Sequence, residues 1–241
     1  MAFYINPAFQ RHPVEAGLIG HMLASFGEIE VTLCFNTGWA HKLVDPVVNT
    51  LYAIRTTSTR IETAFRLMQP AAALLGLTAE QEAVVPMVWH CLKIRNQYAH
   101  CNWGDHVASD GLWFVDLEET ARDRQFFMYW KFLDLELLNQ QVEYFNSTME
   151  KLTFITGEIH VKTGNQTQNP FPKPTIPTPP PLHSPPHEHV PPWLDGEVKA
   201  HHIARARAAQ GGAPTPTLGQ QALDKAREEK RVRMAEQRQP Q

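Results

Sequence analysis

The chain has 241 residues, 43% of them hydrophobic, with 20% charged and a formal net charge of -3 at pH 7. That composition supports a sizeable core and excludes a wholly disordered chain. Residues 1–169 carry 12 Lys+Arg against 18 Asp+Glu and residues 170–241 carry 10 against 7, so the body is acidic. A protein that coats nucleic acid through a broad basic surface is thereby excluded, while a local basic cleft is not.

Apolar residues recur at three-and-four spacing through Ile19, Met22, Leu23, Phe26 and Leu33, which predicts a first helix over 14–36. Asp45-Pro46 is a cap followed by a proline in the first turn. A second periodic run continues from it through Leu51, Ile54, Ser58, Ile61, Phe65 and Met68 to Pro70. The third helix starts at Thr78, where Thr-Ala-Glu-Gln matches a capping box, and is expected to run to about His100 with a kink or break at Pro86. Residues 105–119 pair a Ser-Asp-Gly turn with alternating apolar residues, the pattern of a small hairpin. A fourth helix, rich in aromatics, is expected from about Phe126 to Ile155.

After it the composition changes, because most of the 19 prolines fall beyond Asn169. Residues 170–192 read as an extended proline-rich spacer, and residues 218–239 have strong helix formers with almost no apolar stripe, a solvated helix or disordered chain. The expected fold is all-α: an up-and-down bundle of four to five helices with a small β-hairpin insertion, followed by a disordered proline-rich tail. Its expected parts are a helical bundle over 1–160, a largely disordered linker over 161–217 and a charged segment over 218–241. Cys34, Cys91 and Cys101 are odd in number and show no Cys-x-x-Cys spacing, which fits reduced, packed thiols. No leader pattern and no run of 18 apolar residues is present, so the expectation is a cytoplasmic chain with no membrane partner.

On a helical wheel of about 100° per residue with Val84 at zero, Arg95 falls at about 20°, inside the apolar arc of the third helix. Asn96 and His100 fall near its edge, at about 120° and 160°. A guanidinium stays charged at accessible pH, so Arg95 needs an acidic partner, a wet cavity or an interface. On the first helix Glu30 falls among Leu23, Phe26, Leu33 and Cys34. The expected pair is Glu30 with Arg95, and the plainest meaning of such a pair is a buried ion pair that fixes helix register. Arg55, Glu62 and Arg66 lie at the edge of the second helix's apolar arc, and Lys93 precedes Arg95 by two residues.

Asn96 and His100 are one turn apart, whereas Arg95 and His100 diverge by about 140°. Two protomers around a two-fold axis would bring both arginines and both histidines into one cleft. That set suits phosphodiester cleavage: histidine moves protons near neutral pH, arginine stabilises charge building on the phosphate, and the 2′-hydroxyl of RNA is the nucleophile. With 13 arginines and 12 histidines, an Arg followed by a His after four to six residues arises about twice by chance, so context must supply the weight.

Arg-Asn-Gln-Tyr-Ala-His-Cys-Asn-Trp, residues 95–103, ends a long helix and is followed by a small insertion and another long helix. In this it resembles the HEPN superfamily, the "higher eukaryotes and prokaryotes nucleotide-binding" helical domains. The family motif is Arg, often with a following polar residue, then His after four to six residues, and Arg95, Asn96 and His100 match it. The resemblance implies a homodimer with catalytic Arg95 and His100 and with Asn96 orienting; Glu30, Arg55, Glu62 and Lys93 are expected in support from their places on the helices, not from the family motif. It implies a metal-independent endoribonuclease of toxin-antitoxin, phage-defence or stress systems that needs no cofactor, with RNA and an antitoxin or other protein as partners. The alternative it implies is a catalytically silent module that binds a nucleotide or a protein.

Other features have plainer meanings. His183, His187, His189, His201 and His202 follow no zinc spacing and read as a solvated linker. Pro-Thr-Ile-Pro-Thr-Pro-Pro-Pro would suit an SH3-like groove but more commonly serves as a spacer. Trp39, Trp89, Trp103, Trp113 and Trp130 read as core anchors rather than a base-stacking platform.

Overall fold

The computed structural model describes residues 6–107, 109–122, 127–186 and 188–209. Among them are α1 (Pro7–Arg11), α2 (Pro13–Ala40), α3 (Val44–Ala53), α4 (Thr57–Leu75), α5 (Thr78–His100), β1 (Cys101–Gly104), β2 (Gly111–Asp116), α6 (Leu117–Arg122), β3 (Lys131–Asp134), α7 (Leu135–Lys162) and α8 (Gly196–Ala209). The chain is thus mostly helical with one three-stranded sheet of order β1-β2-β3. It divides into two units. A helical unit runs to Ala99 and takes in Leu133–Leu182, and a second unit holds His100–Phe132 and the chain from His183.

In the helical unit α2 packs on α3, α4 and α7. Ile19, Met22, Phe26, Ile29 and Leu33 of α2 and Leu138, Phe145, Leu152, Ile155 and Ile159 of α7 are all buried, each large side chain contributing about 1.5–3 kcal/mol on leaving water. Asn36, itself buried, donates from Nδ2 to the Leu152 carbonyl at 3.0 Å and accepts from Thr156 Oγ1 at 2.7 Å, so one amide ties α2 to α7 with both ends satisfied. Against the sequence expectation, α2 is long and apolar enough by length and composition to cross a membrane. Ile19, Met22, Phe26, Ile29, Leu33 and Cys34 of this helix are buried, but about two thirds of its most apolar window is not.

The single second helix expected over 45–70 is two helices. The chain leaves α3 at Ile54, whose ψ of 119° is extended, and re-enters a helix at Thr57. Arg60 holds that break open: Nε donates to the Leu51 carbonyl at 3.1 Å, Nη2 to the Ile54 carbonyl at 2.6 Å, and Nη1 to Glu30 Oε1 at 2.6 Å. The guanidinium therefore binds the carbonyl of Leu51, which also accepts from Ile54 N, and that of the C-cap Ile54, while it neutralises a carboxylate on α2. Pro70 is accommodated inside α4, which ends instead at Gly76, whose φ of +71° is left-handed and suits glycine. Pro86 likewise lies within a continuous α5.

The expected fourth helix begins later than its aromatic content indicated. Residues 131–134 form β3, and α7 starts at Leu135 under Asp134, whose carboxylate accepts from Leu137 N at 2.8 Å. The hairpin is present, but its first strand is Cys101–Gly104, antiparallel to β2 with Cys101 opposite Asp116.

The linker expected to be largely disordered from 161 departs from that reading over its described part. Helix α7 continues to Lys162, and α8 forms over Gly196–Ala209. Residues 170–182 have no regular helix or strand, yet they are tied to the helical unit at several points. Asn169 is the first: Nδ2 donates to the Phe154 carbonyl at 3.0 Å and to Glu158 Oε1 at 2.8 Å, and Oδ1 accepts from Phe171 N at 3.0 Å. It fits only because α7 has a glycine there, since a Cβ on Gly157 would lie 2.0 Å from Asn169 Oδ1. The charged segment over 218–241 lies outside the described residues.

Glu80, near the start of α5, bonds both Lys151 of α7 and Lys173 of the proline-rich segment. The Lys151 side chain is 1% exposed. Burial pushes the Glu80 carboxyl up, but the hydrogen bonds and charges of the two lysines outweigh it and hold it below its ordinary value.

Two outcomes follow. Gly157→Ala should expel Asn169 and cost about 1–3 kcal/mol by thermal unfolding, with proteolysis appearing first near residue 170. Glu80→Gln should cost about 3 kcal/mol at pH 7 because Lys151 is left buried without its charge partner. A depressed carboxyl stabilises the fold above its unfolded value near 4.5 and loses that contribution as pH falls through its folded value. The gap between wild type and Glu80→Gln in chemical denaturation should therefore close below about pH 4.

Candidate functional site

Helix α5 supplies the residues that the sequence marks out. Val84, Met87, Val88, Cys91, Leu92, Ile94 and Tyr98 are buried, so the apolar arc is real along its length. Arg95, at about the same wheel angle as Val84, is nevertheless half-exposed, and Asn96 and His100 are exposed. The wheel gives direction but not coverage: near the C-terminal end of α5 only Ile94 and Tyr98 are fully covered, and a long guanidinium side chain carries its charge outward along its stem.

Arg95 Nη1 donates to Asn96 Oδ1 at 3.1 Å. The expected pairing of Glu30 with Arg95 is not formed, because Glu30 is taken by Arg60 at 2.6 Å with both side chains only 12% exposed. The wheel placed Glu30 in the α2 stripe but gave it the wrong cation. It could not find Arg60, whose position depends on the break between α3 and α4. Among the described residues Arg95 takes part in no ion pair.

The other supporting residues are dispersed. Glu62 binds Arg66 one turn along α4 at 2.6 Å, with side chains 51% and 77% exposed, which is a solvated i,i+4 pair. Arg55 is exposed in the turn between α3 and α4, and Lys93 is exposed on α5. A shallow depression lined by Phe65, Arg66, Gln69, Thr78, Gln81, Glu82 and Val85 lies by the N-terminal half of α5, well removed along the helix from Arg95.

The thiols are poor nucleophiles. Burial pushes Cys34, Cys91 and Cys101 up to about 12, and Cys91 Sγ sits 3.4 Å from Thr148 Oγ1 inside the core. In the second unit the histidines pack on aromatic rings rather than forming a solvated linker. His202 is fully buried and its Nε2–H donates to the Trp130 carbonyl at 2.9 Å, His201 meets Phe127 edge-on at 4.6 Å, and His189 stacks on Phe132 at 4.4 Å. Burial holds His183 and His202 below the ordinary imidazole value, as expected for neutral rings in an apolar setting. Trp193, itself partly exposed, packs edge-on against both the buried Trp113 and the half-buried Trp130. His187 lies outside the described residues, and among those described no three His, Cys, Asp or Glu side chains gather as a metal site.

Sequence reasoning missed three polar side chains. His90, Gln97 and Gln141 each donate to the proline-rich segment: His90 Nε2 to the Pro180 carbonyl at 2.8 Å, Gln97 Nε2 to Leu182 at 2.8 Å, and Gln141 Nε2 to Pro181 at 2.7 Å. On the wheel His90 and Gln97 fell on the polar face of α5, where nothing signals a partner 85 or more residues away.

The different environments of the two arginines give distinct expectations. Arg60→Ala should lower stability by about 3 kcal/mol, since it strands Glu30 and removes the donor to the Leu51 and Ile54 carbonyls, whereas Arg95→Ala should change it by less than about 0.5 kcal/mol. Parallel thermal melts of the two variants read this directly. No protein-family model, no curated protein and no solved structure matches the chain.

Proposed function

We propose that the protein is a metal-independent endoribonuclease of the HEPN kind, acting as a homodimer whose composite cleft is built from Arg95, Asn96 and His100 of each copy. In this reading the helical unit is an up-and-down bundle and the chain works in the cytoplasm, in a defence or stress system with an antitoxin or other protein as partner. The observation that carries the reading is the state of Arg95. It is not spent as a buried register pin with Glu30, and among the described residues its guanidinium donates to Asn96, the polar neighbour of the motif.

In the reaction, one His100 takes the proton from the RNA 2′-hydroxyl as that oxygen attacks phosphorus. The Arg95 pair stabilises charge on the non-bridging oxygens, and the second His100 gives a proton to the departing 5′-oxygen. The products are a 2′,3′-cyclic phosphate and a 5′-hydroxyl end. Asn96 holds the guanidinium in register through its side-chain oxygen.

Purified protein with chelator present should cleave single-stranded RNA, leaving cyclic phosphate ends. His100→Ala should lower the rate by about 10²–10⁴-fold, the usual worth of a positioned acid or base, with melting temperature unchanged. Equal cleavage by mutant and wild type, or none by either, removes the enzyme reading and leaves the silent binding module.

A further inference from the structure

The proline-rich segment is seated on the helical unit in a manner that identifies a recognition surface. Over residues 174–181 burial has a period of three: Pro180 is buried and Pro174 and Pro177 are half-buried, while Thr175, Ile176, Thr178, Pro179 and Pro181 are exposed. Three residues per turn is the period of the polyproline conformation, so one ridge of such a helix faces the protein. Proline has a carbonyl but no N–H, so a surface that reads a proline tract can use only donors. The side chains at this seat fit that requirement: His90, Gln97 and Gln141 all donate, and successive carbonyls at 180, 181 and 182 accept. A carbonyl cannot donate, so the His90 bond fixes its Nε2 as the protonated nitrogen. Gln141 is itself oriented by Tyr98, whose hydroxyl donates to its side-chain oxygen.

The strap is held lightly for its length. Of residues 170–182 Pro180 alone is buried, and the Lys173 that ties it to Glu80 is 66% exposed. A segment with so little buried surface opens locally more readily than the core beneath it. Opening exposes three donors on rigid helices, already placed for another chain of the same chemistry.

We propose that the α5–α7 surface carrying His90, Gln97 and Gln141 is a binding site for extended proline-rich segments of a partner protein, occupied in the resting chain by its own strap as an intramolecular competitor. The ligand class is a Pro-x-x-Pro-x-x-Pro ridge followed by a further proline, read through backbone carbonyls. This goes beyond the ribonuclease reading and stands without it.

The test uses a fluorescent synthetic peptide spanning residues 172–184 and the full-length protein, read by fluorescence anisotropy. The tether places the strap at high effective concentration, so wild type should bind the peptide weakly. Pro177→Gly/Pro180→Gly/Pro181→Gly frees the strap by raising its unbound entropy and should tighten peptide binding about tenfold or more. Adding Gln97→Ala to that variant should reverse most of the gain. A peptide with the same three prolines changed to glycine should bind at least tenfold more weakly. Should the triple variant not fold, Asn169→Ala/Lys173→Ala releases the strap with its prolines intact and should tighten binding likewise. A folded strap-loosened variant that binds the peptide no better than wild type overturns the proposal, as does binding that ignores the prolines of the peptide or Gln97.

Discussion

The helical unit turns on one guanidinium. Arg60 reaches back from the first turn of α4 to the carbonyls of Leu51 and Ile54 and across to Glu30, with the Tyr52 ring 4.7 Å from its centre. At the end of α3 the Leu51 carbonyl takes the Ile54 N–H and still has a lone pair to offer, the Ile54 carbonyl lies in the break, and the stripe of α2 holds a carboxylate that water barely reaches. One cation answers both needs because its planar fork presents several donors in fixed directions. The angle between α3 and α4, and with it the way both lie on α2, rests on this joint.

The same constraint decides what Arg95 is free to do. Glu30 is taken by Arg60 rather than by Arg95. Arg95 is left half-exposed beside Asn96, where retaining its charge costs little. A structural arginine and a chemically available one are thus separated by the break between two short helices rather than by any difference in their own sequence surroundings.

The proline-rich segment shows a second economy of polar groups. Its carbonyls need donors and it brings few of its own, so His90 and Gln97 of α5 and the buried Gln141 of α7 supply them. At its start, Asn169 settles into the notch left by Gly157, and Lys173 shares Glu80 with the buried Lys151. An extended chain without internal hydrogen bonds is held in place by side chains of other elements.

Local pattern was enough for the existence of the long helices. The apolar spacing of α2 and α5 and the hairpin turn before Gly111 are properties of neighbouring residues, and they appear where short-range physics puts them; α5 does start at Thr78, but the capping box expected there is not formed, since Gln81 Nε2 donates to the Phe65 carbonyl at 2.8 Å. The sequence also placed Arg95, Asn96 and His100 at the end of α5, where they stand, and set Glu30 in the apolar stripe of α2. What the sequence left open depended on residues far apart in the chain. Arg60 splits the second helix because its side chain finds carbonyls nine and six residues back and a carboxylate thirty residues back. Arg95 emerges from the apolar arc because no neighbour covers that turn, and the proline-rich stretch, compositionally a spacer, is ordered by donors 40 to 90 residues away. Periodicity records which way a side chain points; only the packed structure decides what waits there to meet it.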